Sequence, residues 1–192
     1  MVSRQRLVPA LSGCLCLAAI LAAGTVRALA GEPVVHVETD EAMSAAHVRA
    51  SIDIAAPPQT VWSVITDCAR APRIIPNLES CHIVKHDPAG HWDIREHVIN
   101  WAALMPKIRT VVRTNYETGK RIIFKRVDGD MRVSQGEWKL EPNAHGTRLS
   151  YNALVAPNFP VPEFMIEHAV HDDMPNVLRA IERASEADAA KN

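Results

Sequence analysis

From Ser80 to Val155 polar and apolar residues alternate nearly one for one, and turn signals interrupt the alternation every 10 to 15 residues. Period two marks strands with one face buried. Six are expected, at about 80–86, 91–100, 107–117, 120–127, 131–141 and 147–156. The breaks are Asp87-Pro88-Ala89-Gly90, Trp101 to Pro106, Thr118-Gly119, Asp128-Gly129-Asp130 and Pro142 to Gly146. Connections this short join antiparallel neighbours and leave no room for crossover helices. The sequence therefore predicts a meander.

The flanks supply the second layer. His47 to Ala55 alternates Val48, Ala50, Ile52 and Ile54 with polar residues and reads as a strand ended by Pro57-Pro58. Residues 58–67 read as a short helix with Val61, Trp62, Val64 and Ile65 on its apolar stripe, followed by a further helical turn at about 69–75. The longest helix is expected over about 162–187, where Phe164, Met165, His168, Ala169, Val177, Leu178 and Ile181 recur at helical spacing. Pro175 lacks an amide hydrogen and should disturb that helix near His171. The expected organisation is a lead segment at 31–46, one α+β domain at 47–187 and a frayed tail at 188–192. Within the lead segment Val34 to Val37 could form a short strand, and Asp40 to Ala46 reads as loop. The fold class is a curved antiparallel sheet of about seven strands around a long C-terminal helix.

The first 30 residues read differently. Arg4 and Arg6 precede an uncharged stretch from Leu7 to Ala23, and Ala28-Leu29-Ala30 offers a small-x-small cleavage site. The apolar stretch is short for a membrane span and is broken by Pro9, Gly13 and Gly24. Residues 1–30 are thus expected to be a signal peptide, and the protein to be periplasmic or secreted. The chain has 21 basic and 22 acidic residues; without Arg4, Arg6 and Arg27 the remainder carries 18 against 22, an acidic balance that argues against a nucleic-acid partner. Cys14 and Cys16 leave with the signal, and Cys68 and Cys81 remain as an even pair in an oxidising compartment, so a disulfide is expected.

Three stretches resemble the START-like, or SRPBCC, superfamily of polyketide cyclase/dehydrase and coenzyme Q-binding domains. They are Ile54 to Asp67 with Pro72 and Ile75 to Leu78, then Val127 to Asp130 with Gly136 to Pro142 and Gly146 to Tyr151, and finally Pro157 to Pro162 with Phe164 and Met174-Pro175. The resemblance spans about residues 47–185. It implies a helix-grip fold with an apolar cavity between sheet and helix, and ligands of the lipid, sterol, quinone or polyketide kind. No catalytic motif common to the family is there to be carried over, and fold alone does not give function.

The meander sorts its turns between two ends. One end collects 87–90, 118–119 and 142–146, all polar or turn-forming, and the other collects 101–106, 128–130 and 156–163. Two of the latter are apolar, which marks either a cavity mouth or a plug completing the core. Trp101, Leu104, Met105 and Phe159 are candidates to line or gate a mouth; Trp138, Tyr151, Phe164, Met165 and His168 are candidates for the wall. The same loops, 101–106 and 156–163, are candidates for transient membrane contact.

No phosphate loop, dinucleotide fingerprint, nucleophile elbow or zinc-protease motif occurs, and no cofactor or metal is expected. His168 with His171 and Asp172 lacks the further ligands zinc needs. His168 is the one weak candidate for acid–base work, paired with Tyr151 or Glu96. His82, His86, His91 and His97 could form a histidine-rich patch, while Arg109, Arg113, Lys125 and Arg126 are expected on the water-facing side of the sheet. The favoured expectation is a carrier of an apolar or amphipathic small molecule, with a cyclase/dehydrase-type enzyme or a membrane- or partner-contacting module as the alternatives.

Overall fold

The computed structural model describes residues 31–40, 45–100, 106–158 and 168–191. The alternating segments form eight strands: β1 (Val34–Asp40), β2 (Ala45–Ile54), β3 (Leu78–His86), β4 (Trp92–Ile99), β5 (Ile108–Glu117), β6 (Arg121–Gly129), β7 (Met131–Asn143) and β8 (Gly146–Pro157). They make one antiparallel sheet in the order β1-β2-β8-β7-β6-β5-β4-β3. The meander is as expected from β3 to β8. The sheet has one strand more than expected, because the lead segment pairs with β2 from Val34↔Ser51 to Asp40↔Ala45. Sequence alternation is weak there because β1 is an edge strand with exposed residues on both faces.

Helix α1 (Pro58–Thr66) starts directly after Pro57, with proline in its first turn where a missing amide hydrogen costs nothing. It buries Val61 and Val64. The short α2 (Ala71–Ile74) follows. Between them, Cys68 is disulfide-bonded to Cys81 of β3, with the two Cα atoms 5.4 Å apart. The C-terminal helix is described from His168 onward. The described part has a π-turn at Ala169–Asp173 and continues as α3 (Met174–Ala189). Pro175 sits in the first turn of α3, so the expected disturbance takes the form of a widened turn just before the proline.

The core lies between the β2–β8–β7 part of the sheet and the helices. Val177, Leu178 and Ile181 of α3 pack with Val61 and Val64 of α1 and with Ala50, Ile52, Ile54, Leu140 and Leu149 of the sheet. Thr147, fully buried, donates from its hydroxyl to the Ala56 carbonyl at 2.7 Å and ties β8 to the start of α1. Packing also explains Gly136. A Cβ there would lie 2.7 Å from the Ala153 Cα and closer still to the Asn152 carbonyl oxygen, so β7 and β8 meet only over a residue without a side chain.

Candidate functional site

Directly opposed residues in an antiparallel pair share a face, so the register identifies the inner surface. One row of partners runs Val48, Ala153, Gly136, Phe124, Thr114, Asp93 across six strands. The next runs Ala50, Tyr151, Trp138, Ile122, Tyr116. On the other side of the first lie Arg126, Val112 and Arg95, and then Thr110 and His97. Ala50, Ile52, Leu140 and Leu149 of the same face belong to the core, so these rows point towards the helices.

The inner face is divided. On β2, β8 and β7 it is apolar and aromatic. Tyr151 packs against Trp138 with ring centroids 4.5 Å apart and stacks on Phe124 at 6.1 Å. Burial raises the Tyr151 phenol pKa, so it stays protonated. Beside this wall lie the small residues Gly136 and Ala153.

On β4, on β5 apart from Val112, and at Arg126 of β6 the same face is polar and largely buried. The Arg95 guanidinium grips Asp93 through Nε at 3.1 Å and Nη2 at 2.6 Å. Tyr116 donates to Asp93 Oδ2 at 2.5 Å and accepts from Arg95 Nη2. A longer bond, 3.4 Å, runs from Arg95 to the Thr66 carbonyl at the end of α1, and Trp62 of α1 packs edge-on against Tyr116 at 5.7 Å. Burial opposes the charge of Arg95, and the bonds to Asp93 and Tyr116 more than reverse that, so its pKa rises. The Tyr116 phenol is pushed up, chiefly by burial. His97 is driven down to about 4 by burial first and by the Arg95 charge second, so its imidazole is neutral near pH 7.

Among the described residues three buried atoms of this part of the sheet have no hydrogen-bond partner: His97 Nε2, Thr114 Oγ1 and Arg126 Nε. Arg126 spends Nη2 on the Gly129 carbonyl at 3.0 Å. Buried polar groups are nearly always paired; these three lie on β4, β5 and β6 near Val112.

The candidates named from sequence divide. Trp138 and Tyr151 are brought together on the inner face. Trp101, Leu104, Met105, Phe159, Phe164 and Met165 lie outside the described residues. His168 is not on that face: its side chain is 52% exposed, with Nδ1 2.9 Å from Asp172 and Nε2 3.5 Å from Asp173. The π-turn is the reason. It places one extra residue in the turn, so the helical stripe fixed by Val177, Leu178 and Ile181 does not extend back to His168 at the expected phase. Glu96 is likewise on the outer face, held by Arg109 Nε at 2.5 Å, with Asp128 on Arg109 Nη1 at 2.8 Å. Arg126 is the exception among the four basic residues expected outside, because it pairs with Val112 on the inner face. Among the described residues no group of three or more histidine, cysteine, aspartate or glutamate side chains comes together to hold a metal.

Asp93, Arg95, Thr114 and Tyr116 escaped the sequence reading, and His97 entered it only as part of a histidine-rich patch. The spacing Asp93-x-Arg95-x-His97 does place three polar residues on one face of β4. Ile94 and Val98 alternate with them, and the usual rule sends the apolar set inward. Here the polar set is inside, and only the pairing with β5 reveals it.

Similar folds occur in several solved structures. A STAR-related lipid transfer protein from Xanthomonas axonopodis has a TM-score of 0.67 at 17% identity, over 81% of this chain and 94% of that one. An aromatase/cyclase from Streptomyces has a TM-score of 0.61 at 18% identity, over 74% and 94%. A START superfamily protein from Mycobacterium smegmatis has a TM-score of 0.62 at 17% identity, over 73% and 97%. No curated protein matches the sequence. The model of one family matches residues 54–182, which takes in both halves of the inner face and most of α3. With a helix-grip fold and that match, the chain belongs to the polyketide cyclase/dehydrase and lipid transport family.

Proposed function

We propose that this protein is an exported carrier that holds an amphipathic small molecule between the sheet and the C-terminal helix. The apolar body of the guest lies against Trp138, Tyr151 and Phe124, and its polar end meets the polar residues of β4 and β5. The observation that carries this reading is the division of one buried face into an aromatic half and a polar half with unpaired atoms. Unpaired buried polar atoms lower stability, and the polar end of a guest would give those on the sheet a partner. A guest with one apolar and one polar end satisfies both halves. The family description, with its lipid transport, points the same way. Export rests on the signal-like residues 1–30 and the Cys68–Cys81 pair.

Native mass spectrometry of protein purified from its own periplasm tests the proposal. A copurified mass that disappears on mild organic extraction is the expected result; empty protein that also takes up no apolar dye overturns it.

A cyclase/dehydrase activity has one observation in its favour, the neutral His97 next to the Asp93–Arg95–Tyr116 network. An imidazole held neutral can accept a proton from a bound substrate. Turnover of an aromatic polyketide, lost in His97→Ala while binding persists, would establish that reading in place of the carrier.

A further inference from the structure

Most cations on the outer face of the sheet are answered by a carboxylate. Arg109 holds Glu96 and Asp128, Arg121 holds Glu117 and Glu137, Arg148 holds Asp53 and Lys139 holds Glu141. Lys85, Arg113 and Lys125 are different. Among the described residues none of the three has a carboxylate partner; Arg113 bonds only to Asn115, and Lys85 only approaches a tryptophan ring.

The register puts these three in one row. Lys125 of β6 is the direct partner of Arg113 of β5, Arg113 of Ile94 of β4, and Ile94 of Lys85 of β3. Ile94 alternates with the buried Asp93 and Arg95, so the row faces outward. Lys85 and Lys125 are exposed and Arg113 is half-buried. Like charges directly opposed across two strands repel, and Arg113 and Lys125 are such a pair. The carboxylates nearest in the chain do not relieve them: Asp87 is held by His91 and Glu117 by Arg121.

Arg113 is also fixed in place. Its guanidinium carbon lies 4.1 Å from the centre of the Trp92 ring, and its Nε donates to Asn115 Oδ1 at 3.2 Å. Lys85 Nζ lies 5.9 Å from the same ring. Stacking and the Asn115 bond leave both Nη groups of Arg113 without a hydrogen bond among the described residues. A guanidinium held in this way suits a phosphate.

Two features together select the partner. Cations are drawn to anionic lipid, and tryptophan is favoured at the level of the headgroups. A protein partner is a poorer match, because lysine is depleted from protein interfaces and two of the three cations here are lysines. A nucleic acid is opposed by the acidic balance of residues 31–192.

We infer that this outer patch of β3 to β6 docks on a bilayer surface carrying anionic phospholipid, with Arg113, Lys125 and Lys85 at the phosphates and Trp92 at headgroup level. The inference goes beyond the carrier reading and needs no guest in the interior. Each cation near such a surface adds about fivefold to partitioning, so three give about a hundredfold.

Vesicle flotation tests it, using the protein without residues 1–30, whose apolar stretch would itself enter a bilayer, and with the disulfide intact. Vesicles of phosphatidylglycerol mixed with phosphatidylcholine are compared with phosphatidylcholine alone. The expected result is binding to the mixed vesicles about a hundredfold above the neutral ones, lost at about 0.5 M salt. Arg113→Gln combined with Lys125→Gln should lower it about twentyfold, and Lys85→Gln alone about fivefold, with near-UV circular dichroism reporting that each variant is folded. Lys139→Gln removes a cation that Glu141 already answers on the same face, and should change binding less than about twofold. Equal binding to both vesicles, binding to neither, full binding by the double variant, or an equal loss in Lys139→Gln overturns the assignment. None of these outcomes bears on a guest inside the domain, which the copurified mass reports separately.

Discussion

A histidine whose proton is held off by its surroundings writes itself into the pH dependence of stability. His97 has a folded pKa of about 4 against about 6.5 for a free imidazole. The unfolded chain binds that proton as pH falls below about 6.5, and the folded chain does so only near 4. Stability contributed by the neutral ring is thus complete above pH 6.5, drains away between pH 6.5 and 4, and amounts to up to about 3 kcal/mol. Denaturant unfolding across that range should show the loss, and His97→Gln should flatten it; an unchanged acid limb in the variant would contradict the burial of the ring. Arg95 and Asp93 flank His97 on its own strand, and Thr110 and Cys81 oppose it on the neighbouring strands, so Arg95 is the cation that resists its charging. Thr114 makes a complementary case. Its hydroxyl is buried and unpaired, with the residue 3% exposed. Thr114→Val keeps the shape and removes an unsatisfied group, so the empty protein should gain roughly 1 kcal/mol, about 2–4 °C in thermal midpoint.

At the scale of elements, the strands were legible and their faces were only half so. Period two located β3 to β8 to within a few residues because turn residues such as Asp87-Pro88-Ala89-Gly90 and Asp128-Gly129-Asp130 bound them. Facing is a different matter. In β4 both alternating sets contain residues that could be buried, and the choice is made by what β5 places opposite. In β6 a register shift between Val111 and Val112 separates Arg126 from Asp128 by face, a one-residue irregularity that alternation cannot foresee. The C-terminal helix was legible from its spacing, and what alternation and spacing could not give is the π-turn that moves His168 off the stripe. The disulfide was legible from counting alone. Linking the α1–α2 connection to edge strand β3 across 13 positions should be worth about 3 kcal/mol. Cys81→Ser should lower the denaturant midpoint accordingly. A variant as stable as the parent would show that the loop is already held by α2.

For the molecule as a whole, the order of the strands matters as much as their number. β1 and β2 come first in the chain, but β2 finds its partner in β8, the last strand. His47 of β2 meets Asn152 of β8 at 2.6 Å across 105 positions of sequence. Residues 80–157 can zip up by short-range hairpins, whereas the β2–β8 seam and the helix that packs on it await the final quarter of the chain. Long-range closure of this kind is slow. A polypeptide made from its N-terminus thus carries β1 and β2 as a pair with one open edge until β8 has been made, and the sheet closes only as synthesis ends.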